Sequence, residues 1–507
     1  MQNLLCPSVL FAPFRSPAQP EQLGQSDSRT VGQSGSRAAE PLCQFPDKAA
    51  IGAYTRISQL MPEAATDSPT PETRTASLTG ATAVVVGNMI GVGVFTALGF
   101  QVADLPSGFA IAVLWLAGGL VAFCGAVCYA ELVAMFPRSG GEYHLLGTAL
   151  HPLPGFLSGW TSIIAGFPAP VALAASAFGS YFSGSVLNLD ATTLGIGIII
   201  VVTAVHLINV TLSSRFQSIA TLGKVLLIAV LIVAGFSVGE PQPVHFLPKS
   251  AADWNVIGSS GFAIALMWVH YSYEGWNGAA YIAGEVRDPQ RNVPLALLSG
   301  TGIVTLLYVG INAAFLYAAP MSELAGNKEV GLVAAQHIFG EQGGRAMGAM
   351  ISLGLISAIS AMTWAGPRVS ARMGEDYTLL RLLARRSSTG VPVVATLAQS
   401  ALAIVILVSA RFEQILMYVE AMLLLSSTAT VGSLVWLRIR RPDLDRPYRA
   451  FGYPITPIVF VAITSYTLYW AAQRHPAESL MGVLFLVAGG GVYAACLKRQ
   501  RSPVKAD

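Results

Sequence analysis

Charge is scarce in this chain. Lys, Arg, Asp and Glu make up 11% of its 507 residues, where soluble globular domains carry about 25%, and the mean hydropathy is +0.58. So little charge cannot clothe a water-exposed surface, and a soluble domain is excluded. Net charge is only +3, which gives no basic footprint for nucleic acid. Cysteine is sparse too: the five are Cys6, Cys43, Cys124, Cys128 and Cys496. They form no Cys-x-x-Cys pair and stand in no Cys/His cluster, so no metal site or disulfide is expected. Cys124 and Cys128 fall one helical turn apart in an apolar run and read as small packing residues. The histidines are scattered, and none joins a Ser or Cys and an acid in a hydrolytic pattern. No cofactor is implied, and no enzyme is expected.

What the chain has instead is apolar length. Crossing a bilayer takes about 20 predominantly apolar residues, and twelve such runs can be read, at 78–101, 107–136, 154–185, 192–212, 216–238, 257–284, 293–319, 345–372, 391–410, 414–437, 453–473 and 478–497. The expected fold class is an all-α integral membrane protein with 12 transmembrane helices. Residues 1–75, rich in Pro, Ser, Gln and Gly, cannot bury enough apolar surface to fold and are expected to be a disordered cytoplasmic tail, with Met61 an alternative start. The stretch LLCPSVLFAPF near the beginning is too short and too interrupted by proline for a signal peptide. Outside that tail and Lys224, eighteen Lys and Arg fall in the loops on the side of the two termini and five in the opposite loops. Positive residues mark the cytoplasmic side, so both ends are expected there, in a cell (inner) membrane.

Two of the runs are interrupted at their middle. The first contains GNMIGVGVF (87–95) and the sixth HYSYEGWNGAAY (270–281). Glycine releases a helix, and the freed N–H and C=O groups are tolerated in hydrocarbon only against protein or a cavity. Gly87 and Gly91 also have the four-residue spacing of close helix packing, but a second break five spans later points to a transporter's binding site. A channel would call for repeated pore loops or rings of charge, and neither appears.

The motif GNMIGVGVF resembles the first span of the amino acid–polyamine–organocation permeases, most closely their L-type amino acid transporter branch. YAELVAMFPRSGGEYHLL (129–146), YEGWNGAAYIAGEVRDPQRNVPLAL (273–297), GPRVSARMGED (366–376) and RPYRAFGYPITPIVF (446–460) resemble further motifs of that family, in the same order. The resemblance implies the five-plus-five inverted repeat of the leucine-type symporters over 76–440, two appended helices over 441–497 and a cytoplasmic tail at 498–507. It implies a secondary-active amino acid transporter working by alternating access.

By the same resemblance the substrate carboxylate meets the N–H groups of Val92 and Gly93, beside Gly91. Its ammonium meets carbonyls of Met89, Ile90, Tyr271, Ser272 and Glu274, and Tyr271 stands as an aromatic gate. Lys224 occupies the place of a sodium ion in related symporters, with Ser357 or Ser360 as hydroxyl partners, which makes transport sodium-independent. A mid-span lysine costs about 2.5–3.5 kcal/mol on insertion scales, so it should face the interior. Val92, where the family more often has Ser or Ala, tilts the expectation toward neutral amino acids, taken up by exchange or proton-coupled import; Glu274 keeps cationic amino acids or amines as the alternative. Glu420 has no partner readable in sequence. Glu131, Glu142 and Glu285 are expected to pair with Arg138, Arg287 or Arg291, and Arg368 and Arg372 to anchor topology. The loop after the third span, SGSVLNLDAT, has no cysteine, so no disulfide-linked heavy chain is expected as a partner.

Overall fold

The computed structural model describes residues 74, 76–187, 189–208, 210–409 and 411–501, without the side chains of 210–218 and 252. The expectation of a disordered tail at 1–75, with Cys6, Cys43 and Met61, lies outside the described residues apart from Arg74.

Among the described residues the structure is helical, with two isolated β-bridges and no strand. The first apolar run is divided into α1 (Leu78–Met89) and α2 (Gly93–Asp104). There follow α3 (Gly108–Met135), the short α4 (Gly141–Ala149), and α5 (Pro152–Thr161), which passes through a π-helical turn at Ser162–Gly166 into α6 (Pro168–Ser185). Next come α7 (Ala191–Ile208), α8 (Val210–Ser237) and α9 (Ala251–Ile257). The sixth run is again divided, into α10 (Ser260–Tyr273) and the single turn α11 (Gly278–Tyr281). The remainder is α12 (Pro289–Ala318), α13 (Met321–Leu324), α14 (Val330–Asp376), α15 (Val393–Ser409), α16 (Phe412–Arg440), α17 (Ile455–Arg474) and α18 (Pro476–Arg501).

Ten of the helices are long and apolar enough to cross a membrane among the described residues; α1 and α2 together form one of them, as do α5 and α6. At 17 residues α15 is shorter, and α10 stops after 14. Serines start several of the helices by accepting an otherwise orphaned N–H: Ser77 from Gly80, Ser107 from Ala110 and Ser259 from Phe262, at 3.1–3.3 Å. One boundary differs from the sequence reading. The run expected at 345–372 is the second part of α14, which begins at Val330 and kinks at Gly340 (φ 73°). A helical pattern in sequence does not reveal a bend made by one residue in the left-handed region, where glycine has no Cβ to clash.

The core is one continuous apolar cluster to which α1–α3, α6, α10, α12, α14 and α16 all contribute. The outer faces of α7, α8, α15 and α18 remain apolar and uncovered, with Ile200, Leu226, Val405 and Leu484 each more than half exposed. That surface suits hydrocarbon rather than water.

Candidate functional site

The two breaks lie against each other. Between α1 and α2 the chain is non-helical at Ile90 (ψ 84°), and the Gly91 N–H turns back to the Met89 carbonyl at 2.8 Å. Between α10 and α11, Glu274 leaves the helix (ψ 141°) and Gly275 takes φ 99°. A Cβ on Gly93 would come within 2.5 Å of Ser272 Oγ, and one on Gly275 within 2.9 Å of Asn88 backbone carbon. Gly93 and Gly275 therefore serve different needs: the first permits contact between the breaks, and the second also permits the left-handed turn.

Breaking α1 frees backbone groups at a helix start. No backbone carbonyl or side chain takes the N–H of Val92, Gly93 or Val94 among the described residues. Such N–H groups, at the positive end of a helix dipole, form a ready anion site. The carbonyls on the other side of the break are engaged. Lys224 Nζ donates to Gly87 O at 3.0 Å and Ile90 O at 2.7 Å, the Tyr308 hydroxyl donates to Met89 O, and Glu274 N–H takes Tyr271 O at 3.1 Å.

A cavity of about 660 Å³ opens on this region. Of the residues singled out in the sequence, Met89, Gly91, Val92, Gly93, Tyr271, Ser272 and Glu274 line it, whereas Ile90 and Lys224 stand behind the wall. The cavity runs past Trp364 and Arg368 to a mouth at Ala76, Ser77 and Glu285. Away from the cavity lining, Phe100 of α2 stacks on Trp268 of α10 (4.2 Å between centroids, 8° between planes) and on Phe412 of α16 (6.0 Å), with Lys328 Nζ 5.4 Å from the Phe412 ring.

Lys224 is 2% exposed, so it does not snorkel. Its expected hydroxyl partners are elsewhere: Ser360 Oγ pairs with His206 Nε2 at 2.9 Å, and Ser357 Oγ is buried without a partner. The expected arginine partners of the acids are also corrected. Glu131 is held by Arg438 Nε at 3.0 Å, Arg446 Nε at 3.3 Å and Ala450 N–H at 2.6 Å. Glu142, at the start of α4, meets no arginine. It accepts from Tyr129, Ser158, Ser426 and Asn277, the last at 3.3 Å from within the second break. Arg287 donates to the Arg74 carbonyl rather than to an acid. Arg368, read in sequence as an anchor, lies flat on the Trp364 ring at 3.6 Å and faces the cavity, while Arg372 pairs with Glu375 at 3.0 Å.

Two acids have no ion-pair partner. Glu420 of α16 is fully buried and neither of its carboxylate oxygens has a partner, whereas Glu274 lines the cavity. No basic side chain pairs with either among the described residues. Sequence reasoning overlooked the π-turn before α6, whose Ser162, Gly166 and Phe167 line the cavity. The signal was GFPAP (166–170), since Pro168 and Pro170 cannot donate to a regular helix.

Comparison with known proteins agrees with this geometry. The profile described as "Amino acid permease" matches residues 77–492. The chain is 26% identical over 417 residues to the b(0,+)-type amino acid transporter 1 of Mus musculus, covering 80% of this chain and 84% of that protein. It is 26% identical over 437 residues to the large neutral amino acids transporter small subunit 2 of Oryctolagus cuniculus, covering 84% and 81%. It is 27% identical over 429 residues to the serine/threonine exchanger SteT of Bacillus subtilis (strain 168), covering 83% and 96%. A match over most of the chain, onto helices broken around a shared cavity, makes this protein a member of the amino acid permease family, a multi-pass membrane transporter of amino acids and not an enzyme.

Proposed function

We propose that the protein is a sodium-independent, secondary-active transporter of neutral amino acids, working by exchange or proton-coupled import. The observation that carries this reading is the pair of unclaimed N–H groups of Val92 and Gly93 at the cavity wall. An α-carboxylate entering low dielectric needs such donors, and backbone donors serve every amino acid alike. The ammonium is left to the Ser272 and Glu274 carbonyls at the cavity wall, with Tyr271 lying over the substrate. Sodium independence is supported by Lys224, whose Nζ already donates to the carbonyls of the first break.

In this reading α10 and α11 form one broken span, α15 another span, and the chain crosses the membrane twelve times. The first ten crossings are two inverted five-span halves, each opening on a broken helix. The cavity mouth is cytoplasmic, because the arginine-rich loops lie at its end, and transport alternates between this inward-open form and an outward-open one. The membrane is the cell's inner membrane, and no disulfide-linked heavy chain is required.

A second reading, transport of cationic amino acids or amines, is favoured by Glu274 and Glu420. A buried carboxylate with no partner is costly unless a cation or proton accompanies it. Uptake of labelled amino acids into sodium-free proteoliposomes tests both. Neutral labels entering preloaded vesicles alone indicate exchange, entry into empty vesicles indicates net import, and preferential entry of lysine or a diamine indicates the second reading. No uptake of any amino acid without sodium overturns the proposal.

A further inference from the structure

A second pocket, of about 530 Å³, lies apart from the transport cavity. It sits between the 3₁₀ segment Thr378–Ala384, just beyond α14, and the end of α18. Three guanidinium groups line it: Arg381, Arg385 and, from a helix more than a hundred residues away, Arg499. Among the described residues none of the three has a hydrogen-bond or ion-pair partner for its guanidinium. The nearby acids are already engaged: Glu375 holds Arg372 at 3.0 Å and Arg386 at 2.9 Å, and Asp376 accepts from the Tyr143 hydroxyl at 2.5 Å. Among the described residues the fold thus brings three exposed like charges together without a protein counter-charge, an arrangement that favours an anion between them.

The surroundings narrow the choice of anion. Leu379 and Leu382 in the same wall are 36% and 58% exposed, and α18, which ends at the pocket, carries exposed apolar side chains such as Val487 and Leu484 nearer its middle. The pocket stands where two apolar helices, α14 and α18, end together, at the same end as the cavity mouth. A planar guanidinium binds two phosphate oxygens at once, and basic pockets of this kind at the cytoplasmic face suit anionic lipid headgroups. We propose that Arg381, Arg385 and Arg499 bind a phosphate-bearing anion at the membrane surface. An anionic phospholipid satisfies every wall of the pocket, its phosphate between the arginines and its acyl chains along Leu379, Leu382 and α18.

The test uses the full chain in phosphatidylcholine nanodiscs and the variant Arg381→Gln/Arg385→Gln/Arg499→Gln, whose exposed positions lie outside the transport site. Adding cardiolipin or phosphatidylglycerol is expected to raise the melting temperature of the unsubstituted protein and to leave bound lipid visible by native mass spectrometry. The triple variant is expected to lose both, with uptake in phosphatidylcholine vesicles unchanged. Inorganic phosphate is the second probe; a shift with phosphate alone, also lost in the variant, assigns the site to a free anion. An equal response in the variant, or no response to any of the three probes, overturns the proposal. Should the triple variant fold poorly, Arg499→Gln at the end of α18 serves the same purpose, with lipid affinity expected to fall about tenfold.

Discussion

At the scale of single residues, the site depends on where side chains are absent as much as on where they stand. A Cβ on Gly91 meets only Met89 O, at 3.9 Å, whereas one on Gly93 meets three atoms of Ser272 within 2.8 Å. Gly91→Ala is therefore expected to keep most uptake and Gly91→Leu, which projects into the cavity, to lose it. Gly93→Ala forces the breaks apart, at an overpacking cost of about 1–3 kcal/mol. Thermal melting together with uptake separates the cases, and normal transport by Gly91→Leu would show that the cavity wall is not the binding site. Lys224 is the complementary case, a charge that must be present. Lys224→Ala leaves Gly87 O and Ile90 O without their donor, so uptake is expected to fall to background while monodisperse protein can still be purified. A normal rate in that variant would remove Lys224 from the mechanism.

At the scale of elements, buried acids act as fasteners between helices. Glu131 of α3 joins Arg438 of α16 to Arg446 and Ala450 of the segment leading to α17. Removing one member of a buried ion pair strands the others and typically costs about 3–5 kcal/mol. Glu131→Ala is accordingly expected to lower the melting temperature sharply, and an unchanged melt would show the cluster to be dispensable. Glu142 ties α4 to α3, α5, α16 and the second break through four neutral donors. Glu142→Ala leaves Tyr129 and Asn277 without this acceptor, at about 1–3 kcal/mol for each group that water cannot reach, while Ser426 and Ser158 still meet at 2.8 Å. Because Asn277 is among them, uptake is expected to drop further than stability alone accounts for. Glu142→Gln, which keeps acceptor capacity on one oxygen, should recover part of the melting temperature, and the three melts read against uptake check this.

At the scale of the whole molecule, the mouth marked by the exposed Ser77 and Glu285 gives the cavity a direction. A cysteine at Gly80, on the wall near the mouth where a Cβ has its nearest neighbour at 3.6 Å, should react with a membrane-impermeant thiol reagent from the cytoplasmic side alone. With the native cysteines replaced, labelling is expected in inside-out vesicles and not in right-side-out ones. Substrate that drives the outward-open form should slow it. Equal labelling from both sides would mean a continuous pore instead of a carrier.

Much of this was written in the sequence because the bilayer imposes simple rules. Apolar runs of fixed length, the glycines of two breaks and the bias of arginine between loops are local properties that no partner has to supply. Composition and periodicity thereby determined the helical class, the approximate spans, the broken segments and the burial of Lys224. What only the tertiary structure decided was partnership. The sequence placed arginines near Glu131 and Glu142 along the chain, yet the folded protein brings Arg438 and Arg446 to one and four neutral donors to the other, from helices that meet only in space. It turned Arg368 from an expected topology anchor into a wall of the cavity, moved Ser360 away from Lys224 to His206, and buried Glu420 with neither oxygen partnered. Hydrogen bonds and ion pairs act over a few ångströms, and distance along the chain does not report distance across a bundle.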